Sequence, residues 1–337
     1  MPQQFNNWSQ VKIQLGREAT AGQAVAATTI WRGPFAFFED ARTKVVVEEN
    51  IGIAVTAERT YTPMLLGKLA VPATELTFGQ VLHILEAGVQ TATPTGAGPY
   101  IYTYALPTSN SINTLKTYTL ECVPVIATAD YLEMPYSFVE EFTFEGNAGE
   151  AIKMSANWTG QQLSTGTATS LSTLLTGNDM EPALMPKTKL YIDATGGTVG
   201  TTQKTGVLMG LSMRVRTGWV VVPVGDGNTY FGIIKFTKPE VTFSLTLELE
   251  QNTGASVVAT ERGFYRSDTV RLFQTLTDGP SASQQLTLKW AGKYDKVGGY
   301  NNNNGNITVT LEGHAVYSQT DTLFWTAIVK NSLSAVP

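Results

Sequence analysis

Along residues 240–250 the chain alternates one by one, with Val241, Phe243, Leu245, Leu247 and Leu249 set against Thr242, Ser244, Thr246 and Glu248. Period two sends successive side chains to opposite faces of a pleated strand, so this stretch predicts a strand with one buried and one solvated face. Val207, Met209, Leu211, Met213 and Val215 repeat the pattern, alternating with Leu208, Gly210, Ser212, Arg214 and Arg216. Shorter versions predict strands at 51–58, 118–122, 138–145, 152–159, 286–290, 307–312 and 322–329. Half-buried strands of this kind belong to antiparallel sheets. Two segments read as short helices instead, 77–88 and 267–279, each with a polar cap candidate, apolar residues at helical spacing and a terminal glycine.

The surroundings of these two segments recur. Thr119-Leu120-Glu121 is followed by Thr143-Phe144-Glu145-Gly146, and Thr287-Leu288-Lys289 by Thr310-Leu311-Glu312-Gly313, at offsets of 168 and 167 residues. Shared order and offset predict a tandem duplication, with units at 1–175 and 176–337 joined through the Thr/Ser/Gly-rich stretch 163–179. The expected fold is therefore mainly β: two tandem antiparallel sandwich or half-barrel units, each flanked by one short helix. Gly298 to Gly305, rich in Asn and Gly, predicts a hairpin tip, because both residues tolerate positive φ.

Composition narrows the function. Only 15% of the 337 residues are charged, against the usual ~25%, and 47 are Thr, a strand former. The single cysteine, Cys122, rules out an intrachain disulfide or a cysteine zinc site and reads as a small buried hydrophobe. The start of the chain lacks a basic segment followed by an apolar one, so no signal peptide is expected, and the longest apolar runs are strand-sized. A net charge of −5 argues against an electrostatic grip on nucleic acid.

Catalytic patterns are thin. His83 and His314 belong to no paired-ligand motif and no G-x-S-x-G elbow accompanies them; His83, inside an apolar stretch, reads as a packing residue. Gly225-Asp226-Gly227-Asn228 lacks the helix that would make it a phosphate cradle and reads as a turn. The acid pairs Glu39-Asp40, Glu48-Glu49 and Glu140-Glu141 would need to face one another across a cleft to serve a hydrolase. No enzyme activity, cofactor or metal is implied. The surface is more informative: a Thr/Glu face with few lysines would shed a polyanion, as the lining of a DNA channel must. Low charge density also lets surfaces pack against neighbours without desolvating many ions.

Against this background Gly16-Arg17-Glu18-Ala19-Thr20-Ala21-Gly22-Gln23-Ala24-Val25-Ala26 resembles the G-x-E-x-T-x-G-x-x-x-A start of the tail tube (major tail) proteins of long, non-contractile-tailed bacteriophages. Ala73–Phe78 entering the first helix and Ala156-Asn157-Trp158-Thr159-Gly160 at a strand end extend the similarity. The resemblance implies two packed, near-orthogonal sheets with a flanking helix, and six-fold rings whose strands complete an inner barrel and stack into a tube. At about twice the single-domain length, this chain would form trimeric, pseudo-hexameric rings. The implied partners are copies of itself, a tape-measure protein, other tail proteins and DNA in passage, in a virion tail assembled in the host cytoplasm without membrane insertion. Alternation then predicts Glu141, Thr143, Glu145, Thr308, Thr310 and Glu312 as lumen-facing. The N-terminal arm up to Gly16 and the segment 36–56 are expected to order on stacking, with Trp8, Arg17, Glu18, Phe37, Phe38, Glu48 and Glu49 as inter-ring or inter-subunit residues. Competing expectations are a tube domain with an immunoglobulin-like decoration domain, another virion β-sandwich (capsid decoration, baseplate or receptor-contacting), and a hydrolase using paired carboxylates.

Overall fold

The computed structural model describes residues 8–35, 37–55, 58–124, 131–166, 168–250, 256–303 and 305–337. It is mainly β, with large antiparallel sheets and two α-helices. The first half runs β1 (Val11–Arg17), β2 (Thr29–Ile30), β3 (Phe37–Asp40), β4 (Thr43–Val46), β5 (Thr60–Met64), β6 (Gly67–Glu75), α1 (Val81–Gly88), β7 (Tyr100–Ala105), β8 (Tyr118–Pro124), β9 (Leu132–Asn147), β10 (Lys153–Gly160) and β11 (Ser164–Thr165). The second runs β12 (Thr188–Ala194), β13 (Gln203–Lys204), β14 (Leu208–Arg216), β15 (Trp219–Val222), β16 (Ile233–Phe236), β17 (Glu240–Glu248), α2 (Val257–Arg266), β18 (Arg271–Asp278), β19 (Gln285–Val297), β20 (Asn301–Asn303), β21 (Asn306–Ala315) and β22 (Trp325–Asn331).

Apart from β7, which pairs with β22 of the second half, and β20, which pairs with β21, the strand pairings of the two halves match. One sheet of the first half is β2-β1-β8-β9-β11, and its counterpart is β13-β12-β18-β19-β22. The other is β3-β6-β10-β9, with the counterpart β14-β17-β21-β19. In each half one long strand serves both sheets and carries one unpaired extra residue where it passes between them: Glu140 in β9, between Val139 and Glu141, and Asp295 in β19, between Tyr294 and Lys296. A bulge of this kind bends a strand and raises its twist, which lets one strand cross from sheet to sheet. A hairpin leaves each half at the same point, β4–β5 and β15–β16, and a helix follows β6 and β17 alike.

Pairing sets the equivalences. Ser137, Val139 and Glu141 correspond to Gly292, Tyr294 and Lys296, an offset of 155. Phe38 and Glu39 correspond to Met213 and Arg214, an offset of 175. The 167–168-residue offset of the sequence matches is thus one strand out of step, and Thr143–Gly146 is not the counterpart of Thr310–Gly313.

That slip starts at the second expected helix. Residues 271–278 form β18, paired on both sides and buried on both faces at Arg271–Thr275. The helix lies earlier, at Val257–Arg266, where Ser256 Oγ accepts the Ala259 amide at 3.1 Å as a side-chain cap. The expected strand at 51–58 is likewise absent: 51–55 is bend, and residues 56 and 57 lie outside the described residues. Asn301–Asn303 and Asn306–Ala315 do form the expected hairpin, with Gly305 at φ 91°. Gly225 to Asn228 turns between β15 and β16.

Both helices are held to the sheets by a buried acid. Glu86 on α1 takes a two-pronged contact from Arg17 (2.6 and 2.9 Å) and the Tyr118 hydroxyl at 2.7 Å. Glu261 on α2, at the matching position, takes Arg271 (2.9 and 3.0 Å) and the Tyr294 hydroxyl at 3.0 Å. Burial, with the nearby carboxylate adding to it, pushes both tyrosines well above their usual range, so they remain donors.

Candidate functional site: a polar sheet face with two open edges

The two halves are joined by strand pairing. β9 and β14 run antiparallel over seven residue pairs, from Gly210 opposite Asn147 to Arg216 opposite Glu141. The second sheets of the two halves therefore fuse into one eight-strand sheet, ordered β3-β6-β10-β9-β14-β17-β21-β19. Its inner face supplies the core through Phe142, Phe144, Met213, Val215, Phe243, Leu245, Val309 and Leu311. Its outer face is polar, as period-two strands require.

All six residues expected from alternation lie on that outer face. Glu141, Thr143 and Glu145 stand opposite Arg216, Arg214 and Ser212 on β14, while Thr308, Thr310 and Glu312 stand opposite Glu248, Thr246 and Ser244 on β17. Glu145 and Glu312 are exposed and Thr143 and Thr310 half-buried, but Thr308 is buried between β17 and β20, which excludes it from a lumen surface. The face is not the unpaired Glu/Thr surface that the sequence suggested. Arg214 contacts Glu141 at 2.6 Å, Arg216 bridges Glu141 (3.1 Å) and Glu240 (3.2 Å), and Lys296 meets Glu312 at 3.2 Å. Partial burial opposes ionisation of Glu141, yet the hydrogen bonds from Arg214 and Arg216 hold its carboxyl below the ordinary value. Lys68 and Lys153 add further positive charge beside Glu39 and Glu145. Arg214 and Arg216 were visible in the sequence as the polar set of an alternating strand; their partners were not, because adjacency of β9 and β14 is a tertiary fact.

Among the expected contact residues, Glu18 is enclosed within one chain. It is 1% exposed and accepts from Gly22 N (2.8 Å), Thr117 Oγ1 (2.6 Å), Thr119 Oγ1 (3.0 Å) and Tyr136 N (2.8 Å), which ties β1, β8 and β9 together and leaves nothing for a neighbour. Arg17 is committed to Glu86. The stretch leading to Gly16 includes β1, with Ile13 and Leu15 in the core, so this part of the arm is already ordered in the single chain. Residues 1–7 and the side chains of Trp8 and Phe37 lie outside the described residues. Phe38 packs half-buried against the core. Glu48 is exposed and Glu49 pairs with Arg59, both on the excursion joining β4 to β5. That excursion exposes Ile51, Ile53 and Val55 at 57%, 59% and 69%.

Chemistry points nowhere else. His83 is fully buried, its Nδ1 3.3 Å from the Tyr118 hydroxyl, and burial, helped by the Arg17 charge, lowers its pKa to about 3. His314 lies near the surface beside Asp295 at 2.7 Å. Among the described residues no group of three His, Cys, Asp or Glu side chains is placed to hold a metal ion, and no helix is long and apolar enough to cross a membrane. No protein-family model and no curated protein matches this chain.

Proposed function

We propose that the chain is a structural virion protein: a self-assembling subunit of a hollow phage tail tube whose rings are closed by strand pairing between copies, with the polar sheet face lining the channel. The observation that carries this reading is the eight-strand sheet. It joins two halves of similar strand order head to tail, and among the described residues it ends in two edges that the same join would satisfy. A head-to-tail contact repeated by rotation gives a closed ring. Closure also removes exposed strand edges, which otherwise invite uncontrolled aggregation.

Three chains would supply six units and 24 strands to one ring, and barrels of about 16–18 strands already leave an aqueous channel. The lining would carry Glu141, Thr143, Glu145, Thr310 and Glu312, with Arg214, Arg216 and Lys296 paired to carboxylates and Lys68 and Lys153 facing Glu39 and Glu145 across the strands. Paired charges give DNA few free cations to hold, which suits passage without binding. The low overall charge suits surfaces that neighbours bury. In this role the partners are further copies, a tape-measure protein, other tail proteins and DNA in transit; the protein is not an enzyme, and it acts in the tail after assembly in the host cytoplasm.

Negative-stain microscopy and sedimentation of the concentrated purified protein test the reading. Hollow rings or tubes are expected. Only compact monomers across salt and temperature conditions would overturn it.

A further inference from the structure

The two halves also meet through β7 and β22, which pair over six residues from Tyr100 opposite Asn331 to Ala105 opposite Thr326, but two further components of their contact each have an unfilled counterpart. In the built contact, β14 lies along the free side of β9 and Arg214 reaches diagonally across to Glu141. The β15–β16 hairpin then folds over the first half. Thr217 N and Oγ1 donate to the Glu140 and Val139 carbonyls, both at 2.9 Å, Trp219 Nε1 donates to Gly88 O at 3.1 Å, and Phe231 packs on Phe138 and Tyr136. A Cβ placed on Gly88 would lie 3.1 Å from Thr217 and 3.3 Å from Val139. All eight residues of α1 are buried, partly under this contact and partly under the first half's own segment 89–117, where Lys116 N donates to Glu86 O and Asn113 Nδ2 to Val89 O, a segment without an equivalent after α2.

The counterparts stand open. After Gly292 the side of β19 equivalent to that join has no partner strand among the described residues, and neither has the outer side of β3. Gly263, the equivalent of Gly88, has nothing within 4 Å of a Cβ placed on it, and on α2 Val258 and Glu261 alone are buried. The β4–β5 hairpin, the equivalent of β15–β16, carries the exposed Ile51, Ile53 and Val55 at its end.

We infer that the built contact is the template for the contact between copies: β3 of one chain pairs with the end of β19 of another, and the β4–β5 hairpin of the first covers α2 of the second. This rests on the tube reading and adds its register. Transferring the equivalences places Ala41 opposite Lys296, Asp40 opposite Val297 and Glu39 opposite Gly298. Glu39 takes the place of Arg214, and Lys296 the place of Glu141. The diagonal ion pair is therefore kept with its charges exchanged, Lys296 to Glu39 instead of Glu141 to Arg214. Arg42 arrives where Thr217 sits and meets Asp295, the equivalent of Glu140. In the single chain Lys296 rests on Glu312, Asp295 on His314 and Arg42 on Asp40, so these groups would share or exchange partners at the junction, and their opposite signs at facing positions fit a second copy of this chain. Because the charges are exchanged, the open junction differs from the internal one, which favours copies joining in register over halves pairing indiscriminately.

Charge reversal and cross-linking test the assignment together. Glu39→Lys and Lys296→Glu are each expected to lower the assembled fraction at least tenfold, and the double variant to restore it; assembly unaffected by either change, or no rescue in the double variant, overturns the register. In Asp40→Cys/Val297→Cys protein, mild oxidation should give multimers joined 40-to-297 by mass spectrometry, since facing residues of an antiparallel pair lie within disulfide reach. Such cross-links in particles that never form tubes uphold this contact and sink the tube reading. Tubes without them sink this contact and leave the tube reading standing. Neither tubes nor cross-links would sink both.

Discussion

At the scale of single residues, the two buried acids decide how the helices sit. Glu261 is fully enclosed and its charge is balanced by Arg271 at 6% exposure, with the Tyr294 hydroxyl as the third member. Removing one partner from such a pair strands a buried charge, at a cost of about 3–5 kcal/mol. Arg271→Leu should therefore lower unfolding stability by about that much in a urea titration, whereas Arg271→Leu combined with Glu261→Leu should lose markedly less. His83 gives a second prediction. Its folded pKa, depressed to about 3 chiefly by burial, lies below the unfolded value near 6.5, so below that value the unfolded chain takes up a proton the folded one refuses. The stability His83 permits is fully present above about pH 6.5 and is lost as pH falls toward 3, at up to ~1.4 kcal/mol per pH unit. His83→Gln should flatten the urea midpoint between pH 6 and 4 relative to the unsubstituted protein; an unchanged slope would show that other groups set it.

Between elements, the same space is filled differently in the two halves. Leu69 lies opposite Trp158 in the first half; at the equivalent places Phe243 lies opposite Gly313, and Gly292 replaces Ser137. A Cβ on Gly292 would lie 2.7 Å from the Phe243 ring, so the larger ring needs the glycine. Gly292→Ala should cost about 1–3 kcal/mol through overpacking, and Phe243→Leu in the same chain should recover part of it, read as a coupling in a double-mutant cycle. Exchange of bulk between positions also explains how much of the fold was legible. Single strands such as Glu240–Glu248 declared themselves because one face is wet. β18 did not: covered on both faces, it shows no alternation, and Ser267-Asp268 before it with Gly279-Pro280 after it imitate helix signals. α2 hid for the opposite reason, since it buries little and opens with β-branched Val257 and Val258. The polar face of the candidate site followed from period two, but its ion pairs depend on which strands are neighbours. The β4–β5 excursion supplies another prediction. Ile53→Glu with Val55→Glu should leave the monomer's stability within about 0.5 kcal/mol, as exposed sites allow, while abolishing association in sedimentation.

At the scale of the whole molecule, the two halves are joined by the β9–β14 and β7–β22 pairings, and the eight-strand sheet has one polar face, one core face and two edges without a partner strand among the described residues. A single copy in solution leaves those edges and the apolar hairpin exposed, and both edges carry charged residues, Glu39, Asp40 and Arg42 on one and Lys293, Asp295 and Lys296 on the other, a usual guard against uncontrolled edge pairing. Cryo-electron microscopy of the assembled particle in cross-section reads this account most directly. It predicts a continuous wall of strands around the channel, exactly threefold and approximately sixfold, with Glu145 and Glu312 pointing inward. A wall interrupted between chains, or the polar face turned to the outside, would contradict it.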